Sequence, residues 1–339
     1  MINIIRILKI ILLPLLVLLC IIYLLIFLFL FIIRKYTQKK FDNLKIVCVG
    51  NITLGGSGKT EVVRKLIEDI KNAKMYKKVG VISRGYKRKS REFLVLSPQE
   101  SYPDKYVEKV GDEAFMLFRD LKVPVVVSSD KKKAILELYK RFSSEVIVSD
   151  DGFQNFSFHK DINILVLNML DFKKFKFIFP LGNLREPLFL AVKRADYVIL
   201  NHTRFILEDL LKKLKAKIKK INKNTKIITA NYKIKSFVNL YSKKIYSPLE
   251  FLMLYNKINL LCAIANPFVF KKMLMMEGFD IIKEFFKLDH YWYKSKEIIK
   301  FCQKNSFPIV ITRKDAVRIN YYIDEIKKNY MERFFYMDI

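Results

Sequence analysis

The sequence predicts an α/β fold: a mostly parallel sheet domain, then a smaller C-terminal α/β domain, with one transmembrane helix ahead of both. Three observations carry this. No residue from Ile10 to Ile33 is charged. From Lys45 onward, short apolar runs alternate with stretches of helical pattern, as in a parallel sheet covered on both faces. After a stretch without strong period, the alternation restarts at Ile258. The expected boundaries are an anchor over 1–33, a first domain over 34–230, a connector over 231–257 and a second domain over 258–339.

The anchor comes first. As a helix, the uncharged run spans roughly 36 Å at 1.5 Å per residue, more than the ~30 Å hydrocarbon core of a bilayer. A cleaved signal peptide has a shorter apolar stretch and a small-residue cleavage site, and neither is visible. Arg34, Lys35, Lys39 and Lys40 follow the run, whereas Arg6 and Lys9 precede it. The positive-inside rule then places the body on the cytoplasmic side. Pro14, near one end, leaves a shallow or re-entrant helix open as an alternative.

Strands are expected at Lys45–Val49, Val79–Ile82, Val123–Val127, Glu145–Ser149, Ile162–Leu167 and Tyr197–Leu200. Helical stretches include Glu61–Ile70, Glu113–Arg119, Lys131–Phe142 and the lysine-rich Phe205–Lys220, which closes the first domain. The second domain reads as a strand at Leu260–Ala265, a helix, a strand around Phe285, a helix and a strand at Ile309–Thr312.

The chain has 339 residues, 52% of them hydrophobic and 14% aromatic, enough for sizeable cores outside the anchor. Sixty-three basic against 33 acidic residues give a formal net charge of +30. That balance favours anionic partners, among them a phospholipid surface or a phosphorylated substrate. Biased genomic base composition accounts for abundant Lys, Ile, Asn and Phe equally well. Cys20, Cys48, Cys262 and Cys302 are far apart and form no CxxC pair, so neither disulfides nor a zinc site is expected.

The sharpest chemistry lies in Thr53-Leu54-Gly55-Gly56-Ser57-Gly58-Lys59-Thr60, between an expected strand and helix. A phosphate chain needs a backbone that can approach closely, N–H groups at a helix start, a cation for the β and γ charges and a hydroxyl for Mg²⁺. The three glycines, Lys59 and Thr60 supply these. Thr53 stands where the strict pattern wants glycine. The expected cofactors are therefore ATP and Mg²⁺. A cation also needs acid at a neighbouring strand end, and Glu145-Val-Ile-Val-Ser-Asp150-Asp151-Gly152 has that form, so Thr60, Asp150 and Asp151 are candidate metal ligands.

Other segments say little singly. Ser83-Arg84-Gly85-Tyr86 follows a strand. Gly111-Asp112-Glu113 opens a helix, where carboxylates commonly serve the dipole or a cap. Leu184-Arg185-Glu186-Pro187 also reads as a surface turn. Asp289-His290-Tyr291 draws notice because a carboxylate can set a histidine tautomer.

Taken in order, the segments VGNITLGGSGKT, SRGY, GDEA, SDDGFQN, PLGNLREPL, Asn266-Pro267, LDHY and TRKDAV resemble the tetraacyldisaccharide 4′-kinase family, over Val49 to Val317. The resemblance implies an enzyme of the inner membrane of a Gram-negative-type bacterium. It would use Mg-ATP to phosphorylate the 4′-hydroxyl of a tetraacylated glucosamine disaccharide 1-phosphate, a lipid-linked substrate. It further implies a P-loop domain and a smaller domain with the active site between them. By motif position, Lys59 and Thr60 would bind phosphate and Mg²⁺, with Asp150 and Asp151 near the metal and Glu113 assisting there. Asp112 would be the base on the sugar hydroxyl, partnered by His290, and pairing them would require closure of the two domains. Arg185 is the candidate for phosphate or substrate charge.

Three positions and one stretch depart from the family pattern. Asn155 stands for His, Arg313 for Glu and Ala265 for Gly, and Phe172–Phe177 replaces a glycine-rich stretch. A membrane-tethered P-loop ATPase switch is the rival reading. Such proteins often carry Lys where Leu54 stands, and they need no REP or DHY segment. A nucleic-acid module would need basic and aromatic residues interleaved on one face, and no such surface is legible.

Overall fold

The computed structural model describes residues 2–174 and 177–339. Of the Phe172–Phe177 stretch, Phe175 and Lys176 lie outside the described residues. In chain order the strands are β1 (Lys45–Gly50), β2 (Val79–Ser83), β3 (Leu94–Leu96), β4 (Val125–Val127), β5 (Val146–Asp150), β6 (Ile162–Asn168), β7 (Tyr197–Asn201), β8 (Lys226–Ala230), β9 (Ser236–Asn239), β10 (Ile245–Tyr246), β11 (Lys257–Cys262), β12 (Asp280–Phe286), β13 (Ile309–Thr312) and β14 (Phe334–Asp338). The α-helices are α1 (Ile2–Tyr36), α2 (Lys59–Asn72), α3 (Val107–Val110), α4 (Asp112–Leu121), α5 (Lys131–Phe142), α6 (Leu188–Lys193), α7 (Glu208–Ile221), α8 (Pro248–Leu254), α9 (Pro267–Met276), α10 (Ser295–Gln303), α11 (Arg313–Asn320) and α12 (Lys328–Met331).

The chain forms two compact units. The first gathers Met1–Ile82 and Asp130–Asn231, the second Ser83–Ser129 and Tyr232–Ile339. The expected first domain, 34–230, is thus interrupted: 83–129 groups with the C-terminal part. The reason is visible in α4, which packs on α11 and is tied to it by Asp120–Arg313 and Glu113–Lys314 ion pairs. A sequence period reports which face of a helix is apolar, but not which partner covers it.

In the first unit, six parallel strands run β2-β5-β1-β6-β7-β8. β1, β2 and β5 are buried along nearly their whole length, which is why they read as continuous apolar runs rather than as alternation. In a parallel sheet all carboxyl ends lie on one edge, and here that edge bears Gly50, Asp150 and Asn201.

α1 is longer than the uncharged run, and its Leu12–Arg34 stretch is long and apolar enough to cross a membrane. Cys20, Tyr23, Phe27 and Phe31 are half-buried at a spacing of three to four residues, while Leu18, Leu25 and Phe29 are exposed. Phe27 and Phe31 pack edge-on against Phe156 of the first unit.

The second unit holds the antiparallel pair β3–β4 and a six-stranded sheet ordered β10-β9-β14-β13-β11-β12. β11, β12, β13 and β14 run parallel, and β9 is antiparallel to both its neighbours. The 231–257 stretch therefore carries β9, β10 and α8. Strands of four and two residues are too short to show a period. The helix did carry a signal: Ser247-Pro248 with Glu250 forms a capping box, the Ser247 hydroxyl accepting from the Glu250 N–H. All four cysteines are free.

Candidate active site

The phosphate-loop motif occupies the turn from β1 into α2. Gly50 is dictated by close approach, because a Cβ there would stand 2.5 Å from Phe153 Cβ. Gly58, the residue before α2, takes φ +82, a left-handed conformation that favours glycine. No described residue comes within 4 Å of a Cβ built on Gly55. Thr53 needs no glycine freedom: it forms an antiparallel bridge with Leu184, and its hydroxyl accepts from Asn51 Nδ2 at 3.2 Å.

Asn51 organises the loop. Its Nδ2 also donates to the carbonyls of Thr53 (3.0 Å) and Gly55 (3.3 Å), while its Oδ1 accepts from Lys59 Nζ at 3.1 Å. Asn201, at the end of β7, donates to the Ser57 carbonyl at 3.2 Å. The buried Ser57 hydroxyl finds no hydrogen-bond partner among the described residues. Leu54 is half-exposed beside Gly55 and Gly56. Thr60 is buried in the first turn of α2.

Register places Asp150, the last residue of β5, opposite Val49 of β1, beside the start of the loop. Asp150 is buried, and Asp151 follows with φ +49. Asp151 Oδ1 lies 3.5 Å from Lys59 Nζ and Oδ2 lies 3.5 Å from Arg185 Nη1. Burial alone raises the Asp151 carboxyl, but the charges of Lys59, Arg185 and Lys131 outweigh it and hold the group below the ordinary carboxylate range. Lys131, the first residue of α5, reaches back to the strand end. Its Nζ donates to Ser149 Oγ at 2.9 Å and to the Asp150 and Asp151 carbonyls at 2.7 and 3.0 Å.

Arg185 is placed by a chain of polar contacts. Its Nη1 donates to Gln154 Oε1 at 3.3 Å, and Gln154 Nε2 donates to Glu186 Oε1 at 3.1 Å. Glu186, fully buried, accepts two bonds from Arg194 at 2.5 and 2.6 Å. The first unit thus brings together Thr53–Thr60, Asp150, Asp151 and Arg185.

In the second unit, Asp112 opens α4 behind Gly111 and is 4% exposed. His290 Nδ1 lies 3.0 and 3.2 Å from its two carboxylate oxygens. An ionised carboxylate only accepts, so Nδ1 carries the hydrogen in this pair. Arg318 Nε lies 3.5 Å from Asp112 Oδ2, and the Tyr86 ring meets the His290 ring edge-on. Burial works to raise the Asp112 carboxyl; the His290 hydrogen bond and the charges of Arg318 and Lys314 prevail and hold it well below the ordinary range. Asp112 and His290 lie in one compact unit and are already hydrogen-bonded, so their pairing needs no domain closure, contrary to the sequence expectation. Glu113 is engaged by Lys314 of α11. Arg84 is exposed after β2. Arg313, at a position where the family pattern has Glu, pairs with Asp120 and Asp338.

Sequence reasoning passed over Asn51, Lys131, Gln154, Glu186 and Arg194 as working residues. Asn51, Gln154 and Glu186 lie inside motifs that were legible. Lys131 and Arg194 have no local signature, because what matters about them is a contact made far along the chain.

A family model described as tetraacyldisaccharide-1-P 4′-kinase matches residues 8–338. The chain is 33% identical over 294 residues to the tetraacyldisaccharide 4′-kinase of Elusimicrobium minutum, covering 85% of this chain and 76% of that one. It is 33% identical over 304 residues to the tetraacyldisaccharide 4′-kinase of Halothermothrix orenii, covering 84% of this chain and 76% of the relative. Its fold is similar to a crystal structure of LpxK from Aquifex aeolicus in complex with ATP: TM-score 0.70 and 27% identity, over 98% of this chain and 93% of that one.

Proposed function

The chain belongs to the tetraacyldisaccharide-1-P 4′-kinase family, and on that premise we propose that it uses ATP to phosphorylate the 4′-hydroxyl of a tetraacyl glucosamine disaccharide 1-phosphate in lipid A synthesis. The observation that carries the nucleotide half of this reading is the Lys59–Asp151–Arg185 cluster beneath the glycine loop. Phosphoryl transfer needs positioned charge more than covalent chemistry, and this cluster supplies two cations braced by one carboxylate.

Thr53 to Thr60 would wrap the β- and γ-phosphates with backbone N–H groups at the start of α2, and Lys59 would leave Asp151 to neutralise them. Arg185 would take charge on the transferred group or on the acceptor. Mg²⁺ prefers oxygen donors, and the Thr60 hydroxyl with the Asp150 and Asp151 carboxylates is such a set. When bound, it would neutralise charge on the β and γ oxygens. For Glu113 to join that set, its pair with Lys314 would have to open.

Asp112 would accept the proton of the sugar hydroxyl as the P–O bond forms. A carboxylate held so far below its usual range is a weak proton sink by itself, so the Asp112–His290 pair, rather than Asp112 alone, is the acceptor in this reading. α1, with Arg34, Lys39 and Lys40 after it, would hold the body at the cytoplasmic face of the inner membrane, against anionic lipid.

The test is incubation of the membrane protein with γ-labelled ATP, with and without the tetraacyl disaccharide 1-phosphate. A labelled lipid is the expected product. ATP hydrolysis at the same rate with and without the lipid, and no labelled lipid, would favour a P-loop ATPase switch instead.

A further inference from the structure

We propose that Tyr23, on the apolar helix α1, is a positioning residue of the phosphate site, fixing Arg185 through its backbone. This rests on the kinase reading above and assigns α1 a role in turnover besides attachment.

Tyr23 lies among the half-buried positions Cys20, Tyr23, Phe27 and Phe31 of α1. Its hydroxyl donates to the Arg185 carbonyl at 2.7 Å, across 162 residues of sequence. The Arg185 N–H donates to the Ile52 carbonyl, also at 2.7 Å. Both backbone polar groups of Arg185 are therefore satisfied, one by the strand-to-loop turn that holds the phosphate motif and the other by α1. The preceding residues follow the same turn: the Leu54 N–H donates to the Asn183 carbonyl at 2.8 Å. With the backbone held at both ends, the guanidinium has a fixed origin from which to reach Asp151 and Gln154.

A second contact joins α1 to the same segment. Glu186 is buried in its twofold bond with Arg194, and the Arg194 guanidinium lies over the rings of Phe153, Phe156 and, from α1, Phe31. Tyr23 also meets Phe179 edge-on at 6.0 Å between centroids. Removing the Tyr23 oxygen alone would leave these apolar contacts in place while freeing the Arg185 carbonyl. A carbonyl left unpaired beside apolar surface turns toward water, and the peptide that carries the guanidinium turns with it.

The experiment is Tyr23→Phe in the full chain, assayed in mixed micelles with γ-labelled ATP and the tetraacyl disaccharide 1-phosphate, alone and combined with Arg185→Ala. Tyr23→Phe should lower kcat about 3- to 10-fold, the loss of one net hydrogen bond. The KM for ATP, the thermal midpoint and the share of protein pelleting with membranes should stay unchanged. In the Arg185→Ala background, Tyr23→Phe should change kcat by less than about twofold, because the side chain through which it acts is gone. Full activity of Tyr23→Phe would overturn the proposal. So would an equal loss in the Arg185→Ala background, or a loss matched by release from membranes, since each assigns the effect to packing or attachment. A wild-type protein that labels no lipid in the same assay would overturn the kinase reading, and Tyr23's role with it.

Discussion

Lys59 is held by Asn51 and Asp151 at the start of α2. Lys59→Ala should lower kcat/KM by about 10²-fold or more, ~2.7 kcal/mol of transition-state stabilisation. Folding should survive, since Asp151 keeps Arg185 and Lys131 nearby; circular dichroism and steady-state kinetics on one preparation check both parts. The pair proposed to accept the proton gives a second prediction. Asp112→Ala and His290→Ala should each cut kcat strongly while ATP affinity changes little, and the double variant should cost far less than the sum. Additive losses, or weak ATP binding in either single variant, would assign the two residues independent structural roles. Asp112 also links stability to pH. Its carboxyl is depressed in the folded state, so its stabilisation is present above the unfolded value of about 3.9 and is lost as pH falls through the folded one. Asp112→Asn should therefore lower stability by roughly 3 kcal/mol at pH 7, with a constant deficit from about pH 5 to 8 that shrinks only in stronger acid. Denaturant midpoints across that range are the measurement.

The element that secures this pair is α11. Its Asp315 is fully buried and is the hub of the helix start: Oδ1 accepts from the Ala263 N–H at 3.0 Å and the Tyr293 hydroxyl at 2.9 Å, and Oδ2 accepts from the Thr312 hydroxyl. Arg318, one turn on and 1% exposed, pairs with Asp315 at 3.2 Å while also facing Asp112. Asp315→Asn keeps the shape but leaves a buried guanidinium one charge short. That should cost about 3–5 kcal/mol, the usual consequence of breaking a buried pair. Urea unfolding should show a lower midpoint at unchanged slope, and an intact midpoint would mean that Arg318 has other sufficient partners. α2 owes its start to chemistry of another kind, a left-handed glycine that lets the chain turn from the phosphate loop directly into a helix.

At the scale of the molecule, on the proposed membrane reading, a net charge of +30 and an exposed apolar helix face would act on the same surface, a bilayer with anionic headgroups. Their responses to salt differ. Charge attraction is screened, with a Debye length of about 10 Å at 0.1 M salt, whereas burial of apolar side chains is not. Full-length protein should therefore stay with phosphatidylserine-containing vesicles at high salt. Protein lacking residues 1–33 should bind them at low salt and leave at about 0.5 M. Recovery of the full-length protein in the supernatant without detergent would remove the membrane reading of α1.

Much of this was determined by the sequence alone. Continuous apolar strands, the uncharged N-terminal run and GGSGKT each express a local physical demand, a buried parallel sheet, a hydrocarbon layer or a phosphate chain, so they can be read without knowing what lies nearby. The resemblance carried by the ordered motifs named Asp112, His290 and Arg185, but not what holds them. Only the tertiary structure decided that 83–129 belongs with the C-terminal unit, that Asp112 and His290 are bonded within it, and that Lys131, Gln154, Glu186 and Tyr23 make hydrogen bonds to or beside Asp151 and Arg185. The physical reason is the same in each case. Hydrogen bonds and ion pairs between residues distant in sequence leave no period and no spacing, because the chain between them is free to vary as long as the fold returns their atoms to within about 3 Å of one another.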